Sequence, residues 1–151
     1  MKDSQILVTG GGGGLGGAIV RQLLDRGAKV SSISRQHYPD LEKLGVDQIQ
    51  GTLTDAEIVE TAVSGCDVIF HVAAKAGVWG PYEDYYQSNV VGTENVINAC
   101  RKHGVQRLVY TSSPSVVFNG QDMEGVDESV PYPDHFEAHY PKTKAIAEQK
   151  V

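Results

Sequence analysis

Five consecutive glycines at residues 10–14 stand between a short apolar run and an amphipathic stretch. Residues 5–8 have the length and composition of a buried strand, and residues 15–26 keep the apolar spacing of a helix. A Gly-x-x-Gly-x-x-Gly turn between a strand and a helix is typical of dinucleotide sites, because glycine lets the backbone approach a pyrophosphate. The helix N-terminus adds free N–H groups and the positive end of its dipole. The sequence therefore predicts a dinucleotide site that includes Gly10, Gly13, Gly14, Leu15 and Gly16.

The rest of the chain alternates predicted strands with predicted helices. The strands are residues 29–34, 48–50, 67–70 and 107–111, and the helices are residues 41–44, 54–63, 85–103 and 140 onwards. Thr54 and Glu57 have the spacing of a capping box that would begin the third helix. Residues 113–139 contain Pro131, Pro133 and an Asn-Gly turn, which favours a long irregular connection. This alternation predicts an α/β fold, a Rossmann-type doubly wound parallel sheet in one NAD(P)-binding domain of residues 1–151.

Composition argues against several kinds of partner. The chain has 13 basic and 19 acidic residues and a net charge of -6, which disfavours nucleic acid or an anionic membrane surface. No apolar run is long enough to span a bilayer, so no membrane span is predicted. Cys66 and Cys100 lie far apart, as expected of reduced core residues in a cytoplasmic protein. The histidines lack the spacing of metal ligands, and no metal site is predicted.

Ser34 and Arg35, at the end of the second predicted strand, bear on the choice of cofactor. A site that prefers NAD carries an acid here, which binds the ribose 2′-hydroxyl. A hydroxyl and a guanidinium instead suit a 2′-phosphate, because arginine can donate two parallel hydrogen bonds to it. NADP(H) is therefore the predicted cofactor, with NAD as the alternative if Arg35 is simply a solvated surface residue.

Tyr140 and Lys144 are the candidate reactive pair. Residues four apart on a helix share one face, so the phenol and the ammonium can point at the same place. The lysine charge favours the phenolate and lowers the tyrosine pKa, which allows proton exchange with an alcohol or a carbonyl. The spacing is common by chance. Together with the glycine turn, it predicts an oxidoreductase with a nicotinamide cofactor and a small-molecule ketone or alcohol substrate.

Five segments together resemble the extended short-chain dehydrogenase/reductase superfamily, of the NAD-dependent epimerase/dehydratase type. They are residues 8–16, 65–74, 89–93, 108–113 and 140–144. Within the superfamily the chain is most similar to the 3β-hydroxysteroid dehydrogenase branch. Residues 73–80 and 113–117 further resemble the bacterial 2-alkyl-3-ketoalkanoate reductases. Such enzymes continue into further strands and a substrate-binding lobe, so the resemblance implies the N-terminal part of a longer protein and a truncated Rossmann sheet.

The resemblance also implies roles for the residues around the reacting group. Tyr140 would donate the proton, and Lys144 would lower the tyrosine pKa and bind the nicotinamide ribose. Ser113 would hydrogen-bond the substrate oxygen, unless Ser112 or Ser115 is the true partner and Ser113 only caps the strand end. Together with Asn89, these residues would form the catalytic part of the site.

Other implied roles concern the walls of the site. Asn89 would steady the active-site backbone or a proton-relay water, although a mid-helix amide can instead make only a local bond. His71 is expected to be a packed strand-end histidine and not a catalyst. Thr52 stands where the family commonly has an acid that contacts adenine. The implied cofactor residues are Thr52, Leu53, Ala73, Ala74 and Lys75, besides the tyrosine and the lysine.

Two other functions stay open on the sequence. A nucleotide-sugar epimerase uses the same tyrosine and lysine, and a non-catalytic dinucleotide-binding module would share the glycine turn. The presence of all four candidate catalytic residues together favours an enzyme. The helix from residue 140 leaves Ile146 and Val151 without an evident cover, so we expect it to be loosely packed and the isolated chain to be inactive. Exposed apolar surface there would favour a homodimer.

Overall fold

One five-stranded parallel sheet organises the computed structural model, which describes residues 1–151. The strands are β1 (Gln5–Thr9), β2 (Lys29–Ser34), β3 (Asp47–Gln50), β4 (Val68–His71) and β5 (Arg107–Tyr110). They lie in the order β3-β2-β1-β4-β5, and every neighbouring pair is parallel. The predicted Rossmann-type sheet is therefore confirmed. Because the strand order reverses beside β1, the carboxyl ends of β1 and β4 border the crevice where such sheets bind ligands.

Six α-helices, one π-helical turn and one 3-10 turn accompany the strands. The helices are α1 (Gly14–Asp25), α2 (Pro39–Lys43), α3 (Ala56–Val63), α4 (Tyr82–Tyr86), α5 (Gly92–Lys102) and α6 (His139–Glu148). A π-helical turn, Gln87–Val91, joins α4 to α5, and a 3-10 turn, Pro114–Val117, follows β5. None of the helices is long and apolar enough to cross a membrane.

Alternating side chains of β1 divide the core into two layers. Leu7 packs on one face of the sheet with buried residues of α3 and α5, and Cys100 lies in the same layer. Ile6 and Val8 pack on the other face with buried residues of α1 and α2. Successive strand residues point to opposite faces, so a strand covered by helices on both sides must be apolar at nearly every position. The uninterrupted apolar run of β1 is therefore what the doubly wound fold requires.

The start of α3 differs from the predicted capping box. Asp55 is the N-cap, and its Oδ1 accepts hydrogen bonds from the backbone N–H groups of Glu57 at 3.1 Å and Ile58 at 3.4 Å. The hydroxyl of Thr54 is instead paired with the hydroxyl of Thr52 at 3.0 Å. The prediction of a Thr54–Glu57 box is wrong, because the aspartate one residue later reaches the same orphan donors at the helix start.

The long helix predicted over residues 85–103 is three consecutive elements. Helix α4 already begins at Tyr82, the π-helical turn Gln87–Val91 interrupts the α-helical hydrogen bonding, and α5 ends at Lys102. A π-helical turn inserts one extra residue in a helix and often occurs at a functional site. Here it contains Asn89, whose side chain is buried.

Helix α6 is better packed than expected. Its residues Thr143, Lys144, Ala145 and Ala147 are buried against the π-helical turn, the 3-10 turn and α4. Ile146 is half-buried, and Val151 beyond the helix is 54% exposed. The expectation of a loosely packed helix is therefore wrong for residues 143–147, because the preceding part of the chain already covers their side.

Candidate functional site

A cavity of about 370 Å³ lies at the carboxyl edge of the sheet. Twelve of the predicted cofactor residues line it: Gly10, Gly13, Gly14, Leu15, Gly16, Ser34, Arg35, Thr52, Leu53, Ala73, Ala74 and Lys75. These residues come from four separate stretches of sequence that follow β1, β2, β3 and β4. The structure thus brings them together, because the ends of parallel strands meet at one edge. Tyr140 and Lys144 do not line this cavity.

The glycine turn needs its glycines at two positions for different reasons. Gly10 has a φ of 71°, a left-handed conformation that side chains disfavour. A side chain at Gly16 would meet the carbonyl oxygen and carbon of Gly10, so α1 can approach the turn only with glycine there. Gly13 caps α1 without a side-chain acceptor, which leaves the N–H groups of the first turn for a ligand.

Tyr38 is a cavity residue that the sequence reasoning missed. Its ring lies directly over Gly12, so that a side chain at Gly12 would meet three ring carbons. The Gln48 amide holds the Tyr38 backbone from both sides, accepting from its N–H at 2.8 Å and donating to its carbonyl at 2.9 Å. No motif signals this contact, because Tyr38 lies in an irregular connection and meets the glycines only through the fold.

We expect Gly12→Ala to weaken the fold by about 1–3 kcal/mol, the usual cost of overpacking, because the added methyl displaces the Tyr38 ring. Urea unfolding measures this change. Gly14→Ala is the matched control, since a methyl there would meet nothing within 4 Å. In a Tyr38→Ala background the Gly12→Ala change should cost much less. An equal cost in both backgrounds would show that Tyr38 does not limit the space at Gly12.

The Ser34 hydroxyl is the buried polar atom at the cavity that has no hydrogen-bond partner in the chain. Buried hydroxyls are normally bonded, so this atom is suited to a polar group of a ligand. Arg35 beside it is exposed and makes no ion pair, while its backbone carbonyl accepts a hydrogen bond from Gln50 at 3.1 Å. The Arg35 side chain is therefore available to a ligand, and its backbone is fixed.

Lys144 occupies a buried position at the end of β5. Its Nζ donates a 2.6 Å hydrogen bond to the carbonyl of Thr111 and lies 4.3 Å from the centroid of the Tyr110 ring. The residue is 3% exposed. Burial lowers the pKa of Lys144 to about 8, although the negative charge of Glu148 acts in the opposite direction. Tyr140, one turn earlier on α6, is half-buried.

Asn89 joins the cavity wall to the helix of Tyr140. Its Oδ1 accepts from the backbone N–H of Lys75 at 2.7 Å, and its Nδ2 donates to the Lys75 carbonyl at 3.0 Å and to Thr143 Oγ1 at 3.0 Å. Thr143 in turn donates to the carbonyls of His139 and Tyr140. The side chain therefore bonds across the fold, and not locally within its own helix. Asn89 holds Lys75 and the first turn of α6 at a fixed distance.

His71 is a buried structural residue in a defined protonation state. Thr93 Oγ1 donates to the carbonyl of Asn89, so the ring Nε2 of His71 must donate to Thr93 Oγ1, 2.8 Å away. The opposite nitrogen, Nδ1, then accepts from Thr9 Oγ1 at 2.8 Å. Burial, with a smaller contribution from the Lys144 charge, lowers the pKa of His71 to about 3. The ring is neutral and packed, as expected from the sequence.

Three serines follow β5 with different partners. Ser113 caps the 3-10 turn, accepting from the N–H of Ser115 at 3.3 Å, and its hydroxyl is 2.8 Å from the Ser115 hydroxyl. Ser112 instead donates to Glu148 on α6. The structure does not connect Ser113 to Tyr140 or Lys144 by a hydrogen bond. The predicted choice of Ser113 over its two neighbours stays a prediction.

Sequence comparison identifies related proteins. The sequence model of the 3-beta hydroxysteroid dehydrogenase/isomerase family matches residues 7–151. A 2-alkyl-3-oxoalkanoate reductase from Stenotrophomonas maltophilia is 54% identical in an alignment 149 residues long, which covers 97% of this chain and 45% of the relative. A 3 beta-hydroxysteroid dehydrogenase/Delta 5→4-isomerase from Mycobacterium tuberculosis is 45% identical in an alignment that covers 97% of this chain and 42% of the length of that relative. The chain spans less than half the length of these curated relatives.

Comparison with solved structures also identifies short-chain dehydrogenase/reductase proteins as similar. A short-chain dehydrogenase/reductase superfamily protein from Agrobacterium tumefaciens, solved with bound NAD, matches with a TM-score of 0.84 at 28% identity. The match covers 96% of this chain and 43% of that protein. The resemblance inferred from the five sequence segments is thus confirmed by both kinds of comparison.

Proposed function

Since the chain belongs to the 3-beta hydroxysteroid dehydrogenase/isomerase family, we propose that it forms the cofactor-binding and proton-transferring part of an oxidoreductase. The enzyme would reduce a ketone or oxidise a secondary alcohol with a nicotinamide dinucleotide. The position of α6 carries this proposal. Lys144 bonds to the Thr111 carbonyl at the end of β5, and Asn89 ties Thr143 of the same helix to Lys75 on the cavity wall. The tyrosine–lysine helix is thereby fixed beside the cavity.

The residues around the cavity fit a dinucleotide. Its volume of about 370 Å³ lies in the range of small-molecule sites. The uncapped start of α1 supplies N–H donors for a pyrophosphate, and the glycines leave room for its approach. Ser34 supplies a buried hydroxyl without a partner for a ribose or phosphate oxygen. These features support the binding of NAD or NADP.

The chemistry divides between the cofactor and the chain. A bound nicotinamide supplies or accepts the hydride. Tyr140 would give a proton to the carbonyl oxygen during reduction and take it back during oxidation. The Lys144 ammonium would favour the phenolate that this transfer leaves on Tyr140. Ser113 would donate a hydrogen bond to the same substrate oxygen and orient the carbonyl toward Tyr140.

NADP(H) is proposed over NAD because of Arg35. Its side chain is exposed at the cavity and makes no ion pair, and no acidic residue lines the cavity to repel a 2′-phosphate. We expect Arg35→Ala to weaken NADPH binding by about 1.5–3 kcal/mol, or roughly ten- to a hundredfold. NADH affinity should hardly change, and it serves as the internal control. Isothermal titration of NADPH and NADH into wild type and into Arg35→Ala measures these affinities. Equal affinities of wild type for NADH and NADPH would refute the preference.

The proposed substrate is a 3-oxo acid or a 3β-hydroxysteroid-like alcohol. Relatives named as a 2-alkyl-3-oxoalkanoate reductase and a 3 beta-hydroxysteroid dehydrogenase support this class. NADPH oxidation with a 2-alkyl-3-oxo acid, followed by product analysis, tests the proposal directly. A UDP-hexose serves as the comparison substrate. Conversion of the UDP-hexose to its epimer without net NADPH consumption would favour the epimerase reading instead.

A further inference from the structure

Glu148, the last residue of α6, binds two distant hydroxyl groups with one carboxylate. Its Oε1 accepts from the Tyr132 hydroxyl at 2.6 Å, and its Oε2 accepts from the Ser112 hydroxyl. Hydroxyl-to-carboxylate hydrogen bonds are charge-assisted and stronger than bonds between neutral groups. Glu148 lies outside the Tyr140–Lys144 pair and the glycine turn, and neither the proposed proton transfer nor the cofactor cavity uses it.

The two hydroxyls come from two separate segments that both precede the reactive pair in sequence. Ser112 directly precedes Ser113 at the end of β5. Tyr132 lies in residues 118–138, here called the connecting segment, which has no regular helix or strand and leads into α6. Within α6, Glu148 is four residues after Lys144, so the two side chains share one face of the helix. One carboxylate therefore links Ser112 to the connecting segment, on the face of α6 that also carries Lys144.

The charge of Glu148 also acts on Lys144. The groups that face the Lys144 ammonium are the Thr111 carbonyl, the Tyr110 ring, the neutral His71 and Glu148. Glu148 is the acid in this set, and its charge raises the pKa of Lys144 against the larger effect of burial. Burial raises the pKa of the Tyr110 phenol, and Glu148 raises it further, as a nearby negative charge should.

We propose that Glu148 is a positioning residue, which fixes the serine segment and the connecting segment onto α6 in register with Tyr140 and Lys144. The inference rests on the proposed function in that it assigns these segments to one active site. Its structural part, the double tie through Ser112 and Tyr132, holds for the chain without any ligand.

Four variants separate the tie from the charge. Glu148→Ala removes both hydrogen bonds and the charge, whereas Glu148→Gln keeps the shape and a hydrogen-bonding amide but loses the charge. Tyr132→Phe removes one bond and keeps the charge. Gln149→Ala is the matched control, because the Gln149 side chain bonds only to Ala145 of its own helix and is exposed.

Hydrogen exchange of the ligand-free chain tests the tie. In Glu148→Ala and Tyr132→Phe we expect the amides of residues 145–148, which are hydrogen-bonded within α6, to exchange roughly ten- to a hundredfold faster, since a charge-assisted hydrogen bond that anchors the end of this helix is lost. Gln149→Ala should stay near the wild-type rates, and Glu148→Gln, which keeps neutral hydrogen bonds, should lie between wild type and Glu148→Ala. Unchanged exchange in both Glu148→Ala and Tyr132→Phe would overturn the proposal.

The titration of Lys144, followed by NMR of the 15N-labelled side chain, tests the charge. Lys144 should lose its proton at lower pH in Glu148→Gln than in wild type, and at an unchanged pH in Tyr132→Phe. An unchanged Lys144 titration in Glu148→Gln would limit Glu148 to a structural tie and refute its link to the reactive pair. Neither hydrogen exchange nor the Lys144 titration requires a substrate. The role of Glu148 is therefore tested independently of the proposed activity, which is tested by the turnover of Tyr140 variants.

Discussion

Turnover is expected to fall by about 10²–10⁴-fold when Tyr140 is replaced by phenylalanine, the range that a positioned general acid usually contributes. Phenylalanine keeps the ring of this half-buried residue and removes only the proton that the proposed reduction requires. NADPH binding should be nearly unchanged, because phenylalanine preserves the ring and its packing. Steady-state NADPH oxidation with a 3-oxo acid, in a form of the protein that turns this substrate over, measures the loss.

Tyr82→Phe is the matched control for the Tyr140 variant. The Tyr82 ring packs edge-on against His139, the residue before Tyr140, so this change removes a neighbouring hydroxyl without touching the proposed proton donor. It should leave turnover within a few-fold of wild type. A Tyr140→Phe enzyme with near-normal turnover would assign the proton donor to another group. Lys144→Ala is expected to reduce both turnover and cofactor binding, because Lys144 would act on the phenol and on the nicotinamide ribose.

The second large effect concerns the stability of the fold as a function of pH. Burial lowers the pKa of Lys144 to about 8, below its usual value of 10.5. Between these two pH values the unfolded chain binds a proton that the folded chain has released, so this residue makes the free energy of unfolding rise with pH. Relative to Lys144→Met, which cannot titrate, wild type should therefore gain about 2–3 kcal/mol between pH 7 and pH 10.

Urea unfolding of both chains at pH 7, 8.5 and 10 measures this difference. The comparison with the variant is needed because burial raises the pKa of Cys100 to about 11, which gives a contribution of opposite sign at high pH. That contribution is common to both chains and cancels. Lys142→Met, an exposed lysine on the same helix, is the control for a change of charge alone. If the free energies of unfolding of wild type and Lys144→Met change with pH in parallel, the buried Lys144 ammonium does not destabilise the fold.

A lysine held in this way indicates a conflict between stability and activity. At pH 7 the folded chain holds a buried ammonium whose direct partners are one carbonyl oxygen and one aromatic ring. A buried charge that lacks an ion partner in contact destabilises a fold. The proposed reaction needs that charge beside Tyr140. This is the kind of local cost that active sites impose on the rest of a protein.

Local patterns were sufficient to predict the sheet and the glycine turn that borders the cavity. The apolar run of β1, the glycines after it and the amphipathic α1 are contiguous, so their periodicity specifies a strand, a turn and a helix. The distant cofactor residues, such as Lys75, were assigned from the family resemblance, and the parallel strands bring their carboxyl ends to one edge, where Gly10 and Lys75 line the same cavity. Where two local signals competed, as at Thr54 and Asp55, the sequence did not reveal which side chain reaches the helix start.

The sequence by itself therefore determined the α/β class, the parallel sheet, the family and twelve of the residues that border the cavity, because each follows from neighbours along the chain or from a known motif. Only the tertiary structure decided which distant side chains meet. Three contacts join segments that are far apart in sequence. They are the packing of the Tyr38 ring over Gly12, the hydrogen bonds of Asn89 to Lys75 and Thr143, and the hydrogen bonds of the Glu148 carboxylate to Ser112 and Tyr132. Such contacts depend on how helices and irregular segments pack against the finished sheet, and no local periodicity encodes that packing.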